Sequence, residues 1–172
     1  MIVVEGPDGA GKTTLIEQIE AEWAITREPR AVSKEAKSLV PIDDWIETEL
    51  EKGFGFRLYD RFALVSSPQY MSLPDRTFRG RMTDVDWLSQ MHHKFKKIDP
   101  VVILCLPPLQ TVLRNTQVDT HDGLDMTQHI ETVYLNYLNW FAERWYNSSM
   151  MIYNYEDPNM ARLSGLMRWA HA

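Results

Sequence analysis

The 172-residue chain has a single cysteine, Cys105, so no disulfide can form within it, which fits a reducing compartment. That cysteine lies in the apolar run 101–106, where burial is expected rather than reactivity. No apolar run is long enough to cross a bilayer, and no basic segment followed by an apolar stretch and cleavage site is visible. These absences predict a cytoplasmic protein with no membrane partner. Positive charge is also short: the net charge is −6 and the pI about 5.3. A protein that grips a nucleic-acid duplex usually presents a basic face. The one dense basic cluster is Lys94, Lys96 and Lys97 beside His92 and His93. It falls at the end of an expected helix, where cations complement the dipole; a phosphate or nucleic-acid patch is the alternative reading. Repeats and linkers are missing too, so residues 1–172 are expected to form one domain around one core. With 44% hydrophobic and 24% charged residues, the composition is that of an ordinary globular protein.

What is present is concentrated near the start. Gly6-Pro7-Asp8-Gly9-Ala10-Gly11-Lys12-Thr13-Thr14 follows the apolar run Met1-Ile2-Val3-Val4. The pattern Gly-x4-Gly-Lys-Thr puts glycines where the backbone must curl round an anion, because a Cβ there would block the approach of main-chain N–H groups to phosphate oxygens. Lys12 can reach the β- and γ-phosphates of a nucleoside triphosphate, and the Thr13 hydroxyl can sit on Mg²⁺. The following helix points its N–H groups and partial positive charge at the same place. Gly6, Asp8, Gly9, Ala10, Gly11, Lys12, Thr13 and Thr14 are therefore the expected ATP-phosphate site, with ATP and Mg²⁺ as cofactors.

Strand and helix signals alternate along the rest of the chain. Strands are predicted at 1–5, 24–27, 56–59, 101–106 and 150–154. Helices are predicted at 12–23, from Pro41 to Gly53, at 84–97, from 109 to 115, at 126–146 and at 158–169. In the helix after Pro41, Glu49 is the one polar break in the stripe Ile42, Trp45, Ile46 and Leu50. In the long helix, Ile130, Val133, Tyr134, Tyr137, Leu138, Phe141 and Trp145 share one broad face that suits a core. Residues 32–40 read as a loop or short helix, and 64–81, rich in Ser, Pro, Gly and Arg, as an irregular active-site segment. The pattern is that of a three-layer α/β/α phosphate-loop nucleotide-binding domain with a parallel sheet of about five strands. Ligands should gather at the carboxyl ends of those strands.

The stretch Val3-Val4-Glu5-Gly6-Pro7-Asp8-Gly9-Ala10-Gly11-Lys12-Thr13-Thr14 resembles the loop of thymidylate kinases, Glu-Gly-x-Asp-Gly-x-Gly-Lys-[Ser/Thr]-Thr. Three further stretches match in order. Thr26-Arg27-Glu28-Pro29 is similar to that family's Arg-Glu-Pro, and Asp60-Arg61-Phe62 to its Asp-Arg-Tyr, followed by Ser66, Ser67, Gln69 and Tyr70. Asp99-Pro100, Pro107-Pro108 and Arg114 resemble its third stretch. The chain departs from the family at Arg30, where a glycine is usual, and at Phe62. It departs again in the lid-like segment 115–125, which has no Lys or Arg.

The resemblance implies an ATP- and Mg²⁺-dependent phosphotransferase acting on a small deoxynucleotide or nucleoside. It also implies that Asp8 faces the acceptor sugar hydroxyl; an Asx turn is the alternative. Lys12, Asp60, Arg61 and Arg114 are the candidate catalytic residues, with Thr13 and Asp60 on the metal. Asp60 can instead cap its strand or pair with Arg61. Arg61 and Arg27 suit an acceptor phosphate or transition-state charge, because the planar fork donates paired hydrogen bonds and stays ionised; a structural ion pair is the other reading for each. Arg114 is either a lid arginine or an exposed helix residue. Phe62 is expected to stack on an acceptor base, and Ser66, Ser67, Gln69 and Tyr70 to read its polar edge. The segment after Tyr70 lacks the family's usual Arg-containing helix pattern, for which Arg76, Arg79 and Arg81 can substitute; with Lys94–Lys97 they would be the footprint of a kinase acting on nucleic acid. Asp119, His121, Asp122 and Asp125 match no structural zinc spacing and read as a polar lid. A homodimer is compatible with all of this. Two other readings stay open: a kinase acting on DNA, at a modified pyrimidine such as 5-hydroxymethyluracil or at a strand end, and a non-catalytic nucleotide switch.

Overall fold

Four short apolar segments pair side by side in the computed structural model, which describes residues 1–29, 41–71, 73, 80–118, 128–143 and 149–171. They are β1 (Ile2–Glu5), β2 (Leu58–Asp60), β3 (Val101–Cys105) and β4 (Met150–Tyr153), in the order β2-β1-β3-β4 with every pair parallel. Almost all their residues are buried, as expected of strands covered on both faces. The helices are α1 (Lys12–Trp23), α2 (Ile42–Glu51), α3 (Ala63–Tyr70), α4 (Val85–Ile98), α5 (Leu109–Val118), α6 (Ile130–Ala142) and α7 (Met160–His171).

Strand side chains alternate between two cores. Ile2, Val4, Ile103 and Met151 pack with Leu15, Ile16 and Ile19 of α1, Val112 of α5 and Leu163 and Met167 of α7. Val3, Tyr59, Val102 and Met150 pack with Ile46 and Leu50 of α2 and Trp87, Met91 and Phe95 of α4. Leu104 meets Val133 and Tyr137 of α6 in a third cluster. This is the three-layer α/β/α arrangement with a parallel sheet. The polar break in α2 has a partner: buried Glu49 accepts a 2.7 Å bond from the Tyr59 hydroxyl.

Several expectations are corrected. Among the described residues the sheet has four strands rather than about five. The segment 24–27 contributes only an isolated bridge, Arg27 to Leu58, because Ala24 takes a left-handed conformation that ends α1. The start of 64–81 is helical, not irregular: α3 runs from Ala63 to Tyr70 with Pro68 inside it. α5 continues through Val118, so the first residues of the expected lid are helix. In α6 it is Trp140 that completes the buried face, while Leu138 is 39% exposed. The expectations for Arg30, 32–40, Arg76, Arg79, Asp119, His121, Asp122, Asp125 and Trp145 lie outside the described residues. Among the described residues no helix is long and apolar enough to cross a membrane.

After β1 the chain adds β2 on one side, then crosses to place β3 on the other. The carboxyl end of β1 is therefore the point where connections diverge and leave a crevice.

Candidate functional site

β1 ends at Glu5, and the chain must then pass close beneath β3. Gly6 makes this possible at φ 138, where a Cβ would lie 2.4 Å from the Cys105 carbonyl oxygen. Gly9, at φ 76, lies so close to α5 that a Cβ would come 2.7 Å from the Thr116 hydroxyl. Asn115 holds the same stretch, donating at 2.9 Å to the Gly9 carbonyl and at 2.9 Å to the Tyr155 hydroxyl. The loop is thus braced from behind by α5 and by the turn after β4.

No side chain caps the start of α1, which leaves its first-turn N–H groups for an anion. Thr13 and Thr14 are exposed on that turn. Lys12 is buried, and its Nζ donates to the Pro7 carbonyl at 2.6 Å. Burial, and then repulsion from Arg61, push the amine down to about 8. Cys105 beneath is fully buried, and its thiol is pushed up to about 12, chiefly by burial, so it is inert.

Facing the loop, Arg61 leaves the end of β2 and reaches back across β1. Its Nη2 donates to Asp8 Oδ1 at 2.6 Å and to the Gly6 carbonyl at 3.3 Å. Its guanidinium lies 5.3 Å from the centre of the Tyr70 ring, and the Tyr70 hydroxyl points to Asp8 Oδ2 at 3.5 Å. Burial pushes the Asp8 carboxyl up, but Arg61 and Lys12 outweigh it and hold the group below its ordinary range. Asp8 therefore stays ionised, with its side chain 44% exposed. Asp60 is buried at the end of β2, beside Val4 of β1.

The remaining predicted residues divide. Ser66 is partly exposed, but its hydroxyl turns back to the Phe62 carbonyl at 3.2 Å. Ser67 and Gln69 are buried, and the Gln69 amide donates to Val65 within its own helix at 2.9 Å. Phe62 is fully buried, stacked on Phe95 at 5.4 Å and packed edge-on to Tyr59. This corrects its expected base-stacking role, because no face of the ring is open. Arg27 grips Glu20 of α1 through Nε at 3.0 Å and Nη2 at 2.6 Å, so that edge of the fork is occupied. Arg114 projects from α5 with 72% of its side chain exposed and Glu156 at 3.9 Å. Arg81 is held by Glu47 at 2.9 Å on α2.

Sequence reasoning assigned no role to the carboxylate beneath this cluster. Glu5 is fully buried; it accepts from the Phe62 amide at 2.7 Å and from the Tyr137 hydroxyl at 2.9 Å. Burial outweighs these bonds and pushes it up to about 7. The available signal was a glutamate closing an otherwise apolar strand. Asn115, Thr116 and Tyr155 carried no comparable signal, since only folding brings them to the loop.

The Lys12 value has a measurable consequence. The amine loses its proton as pH rises through about 8, and a polyanion binds the charged form more tightly. Affinity for inorganic triphosphate is expected to be flat below pH 7 and to fall above pH 8, by up to about tenfold per unit. Calorimetric titration from pH 6.5 to 9.5 checks this; a flat profile would contradict the assigned state of Lys12.

No family model matches the chain, and no curated protein matches it in sequence. Solved structures do match in fold. The YorR protein of Bacillus subtilis, in complex with phosphorylated GDP, superposes with a TM-score of 0.68 at 15% identity, over 98% of this chain and 93% of its own. Deoxyadenosine kinase from M. mycoides with bound dATP gives 0.60 at 14% identity, over 98% of this chain and 97% of that one. The same enzyme with bound dCTP gives 0.59 at 14% identity, over 98% of each chain. At this low identity the superposition shows a shared fold alone, across nearly the whole length of each chain.

Proposed function

We propose that this chain is a phosphate-loop kinase that moves the γ-phosphoryl group of ATP to a small deoxynucleotide or deoxynucleoside. One observation carries the proposal. An uncapped, glycine-lined helix start with a buried lysine lies beside the Arg61–Asp8 ion pair, which supports reading the two as the donor and acceptor sides of one site. Structural likeness to an enzyme named for deoxyadenosine, and sequence resemblance to thymidylate kinases, both support a nucleoside or nucleotide acceptor.

In this reading the acceptor hydroxyl oxygen attacks the γ-phosphorus, the bond to the β–γ bridging oxygen breaks, and ADP leaves. Such transfer needs positioning and charge neutralisation more than covalent chemistry by the protein. Lys12 and the loop N–H groups hold the triphosphate. Arg61 meets charge spreading over the transferred group, and Asp8 accepts a hydrogen bond from the acceptor sugar. Asp60 takes or orients the acceptor proton. Arg114, with little holding it, is the cation of α5 that can swing over the donor phosphates. Arg27 would have to leave Glu20 before it could hold an acceptor phosphate, so it ranks behind Arg61.

The exposed Thr13 hydroxyl and the buried Asp60 carboxylate are hard oxygen donors that suit Mg²⁺. Among the described residues there is no group of three or more His, Cys, Asp or Glu that could hold a metal ion. When bound there, Mg²⁺ would supply positive charge against the negative charge that develops during transfer.

The DNA reading draws less support. The exposed Lys94, Lys96 and Lys97 stand at the end of α4 that feeds the start of β3, at the amino-terminal ends of the strands and so away from the phosphate loop. The test is labelled ATP with Mg²⁺ against the four deoxynucleosides, their 5′-monophosphates and DNA containing 5-hydroxymethyluracil. Label in a free nucleoside or nucleotide supports the proposal. Label only in DNA overturns the acceptor, and label in nothing overturns the enzyme and favours a nucleotide switch. Asp8→Asn is expected to raise the acceptor KM about tenfold or more while leaving ATP affinity within about twofold. Equal losses on both sides would remove Asp8 from the acceptor.

A further inference from the structure

Three described residues other than glycine have positive φ. Ala24 and Asp99 do so at helix ends, where a left-handed residue is common. Arg61, at φ 66, ends no helix; it sits between β2 and α3. A non-glycine residue held there costs energy and persists only where its surroundings impose it. The constraint comes from the end of β1. The Arg61 amide donates to the Val4 carbonyl at 2.9 Å, and the next amide, of Phe62, donates to Glu5 Oε1 at 2.7 Å. A backbone carbonyl and a side-chain carboxylate thus grip two consecutive amides. The other carboxylate oxygen takes the Tyr137 hydroxyl of α6, so Glu5 itself cannot turn away. The result is a turn from which Arg61 doubles back over β1 to Gly6 and Asp8.

We infer that Glu5 is a positioning residue for the acceptor: through the Phe62 amide it holds the left-handed Arg61 turn, and so sets how the Arg61–Asp8 pair meets the second substrate. The inference rests on reading that pair as the acceptor side of a kinase. What matters is the reach of the side chain rather than its charge, because glutamine can offer the same oxygen to Phe62 and its amide to the Tyr137 hydroxyl.

Two variants separate reach from charge. Glu5→Asp keeps the charge but draws the oxygen back by about 1.5 Å, out of hydrogen-bond range of Phe62. Glu5→Gln keeps the reach. Glu5→Asp is expected to raise the KM of the labelled deoxynucleoside or nucleotide by about tenfold or more, with the ATP KM within about twofold. It is also expected to speed exchange of the Phe62 amide, followed by NMR without any ligand, by about a hundredfold. Glu5→Gln should match the unaltered protein in both. If Glu5→Asp slows donor and acceptor use alike, or leaves the acceptor KM unchanged, the inference is overturned. If the unaltered protein labels no acceptor, the kinase reading fails and this positioning role falls with it. Slow Phe62 exchange that only Glu5→Asp relieves would then still identify the amide grip, while unchanged exchange would refute the grip as well.

Discussion

Replacing Lys12 with alanine is expected to reduce phosphoryl transfer by about a hundred- to a thousand-fold, the loss seen when one preorganised donor to a developing charge is removed. The ammonium is buried, where a charge acts on a neighbouring phosphate with little screening from water. It is already held in the loop by the Pro7 carbonyl at 2.6 Å and needs only to turn from that oxygen to a phosphate. The same variant is expected to fold at least as well as the unaltered protein. Its value near 8 is below that of an exposed lysine, so at neutral pH protonation favours the unfolded chain, and removal of the amine relieves that cost. Initial rates with saturating acceptor, together with a melting curve, make the test. Activity above about a tenth of normal would contradict the role. A fall in melting temperature large enough to explain the loss would contradict it too.

Gly6→Ala is expected to be the most damaging glycine-to-alanine change among the described residues, acting on stability and nucleotide binding together. The new methyl would sit 2.4 Å from the Cys105 carbonyl oxygen, a backbone atom inside β3 that cannot move without breaking the pairing with β4. The conformation at φ 138 is itself one that side chains rarely adopt. Backbone strain and overpacking together suggest a loss of roughly 2–6 kcal/mol. Urea unfolding gives the stability and calorimetry with ADP the binding. Near-normal values in both would mean that β1 and β3 are not this close at the loop. Gly53→Ala offers a control, since nothing lies within 4 Å of a Cβ there and only the strain of φ 64 remains.

Much of the fold was legible because its signals are local. The apolar run 101–106, Asp99-Pro100 before it and the proline pair after it bound β3 almost to the residue. The bounds of α1 follow from the glycine loop on one side and the loss of apolar periodicity on the other. Phe62 and Gln69 were misjudged for one reason: adjacency to a motif says nothing about which way a side chain points. Phe62 faces the α4 core and Gln69 its own helix backbone. Arg27 could be read as a phosphate ligand from its neighbours Glu28 and Pro29, but its partner, Glu20, lies seven residues back on α1.

By itself the sequence determined that a glycine-lined turn joins β1 to α1, since Gly-x4-Gly-Lys-Thr after an apolar strand is a local signal. It also determined the alternation of strand and helix that builds a parallel sheet. Only the tertiary structure decided what surrounds Asp8 and Arg61. Glu5, Asp8, Arg61, Tyr70 and Tyr137 come from β1, the loop, the β2–α3 junction, α3 and α6, separated by up to 132 residues. Their bonds exist only once the sheet has set β1 beside β2 and helices cover both its faces. Local spacing can specify a turn, but it cannot specify which remote side chains are brought together, and that meeting keeps Asp8 ionised and sets the direction in which Arg61 points.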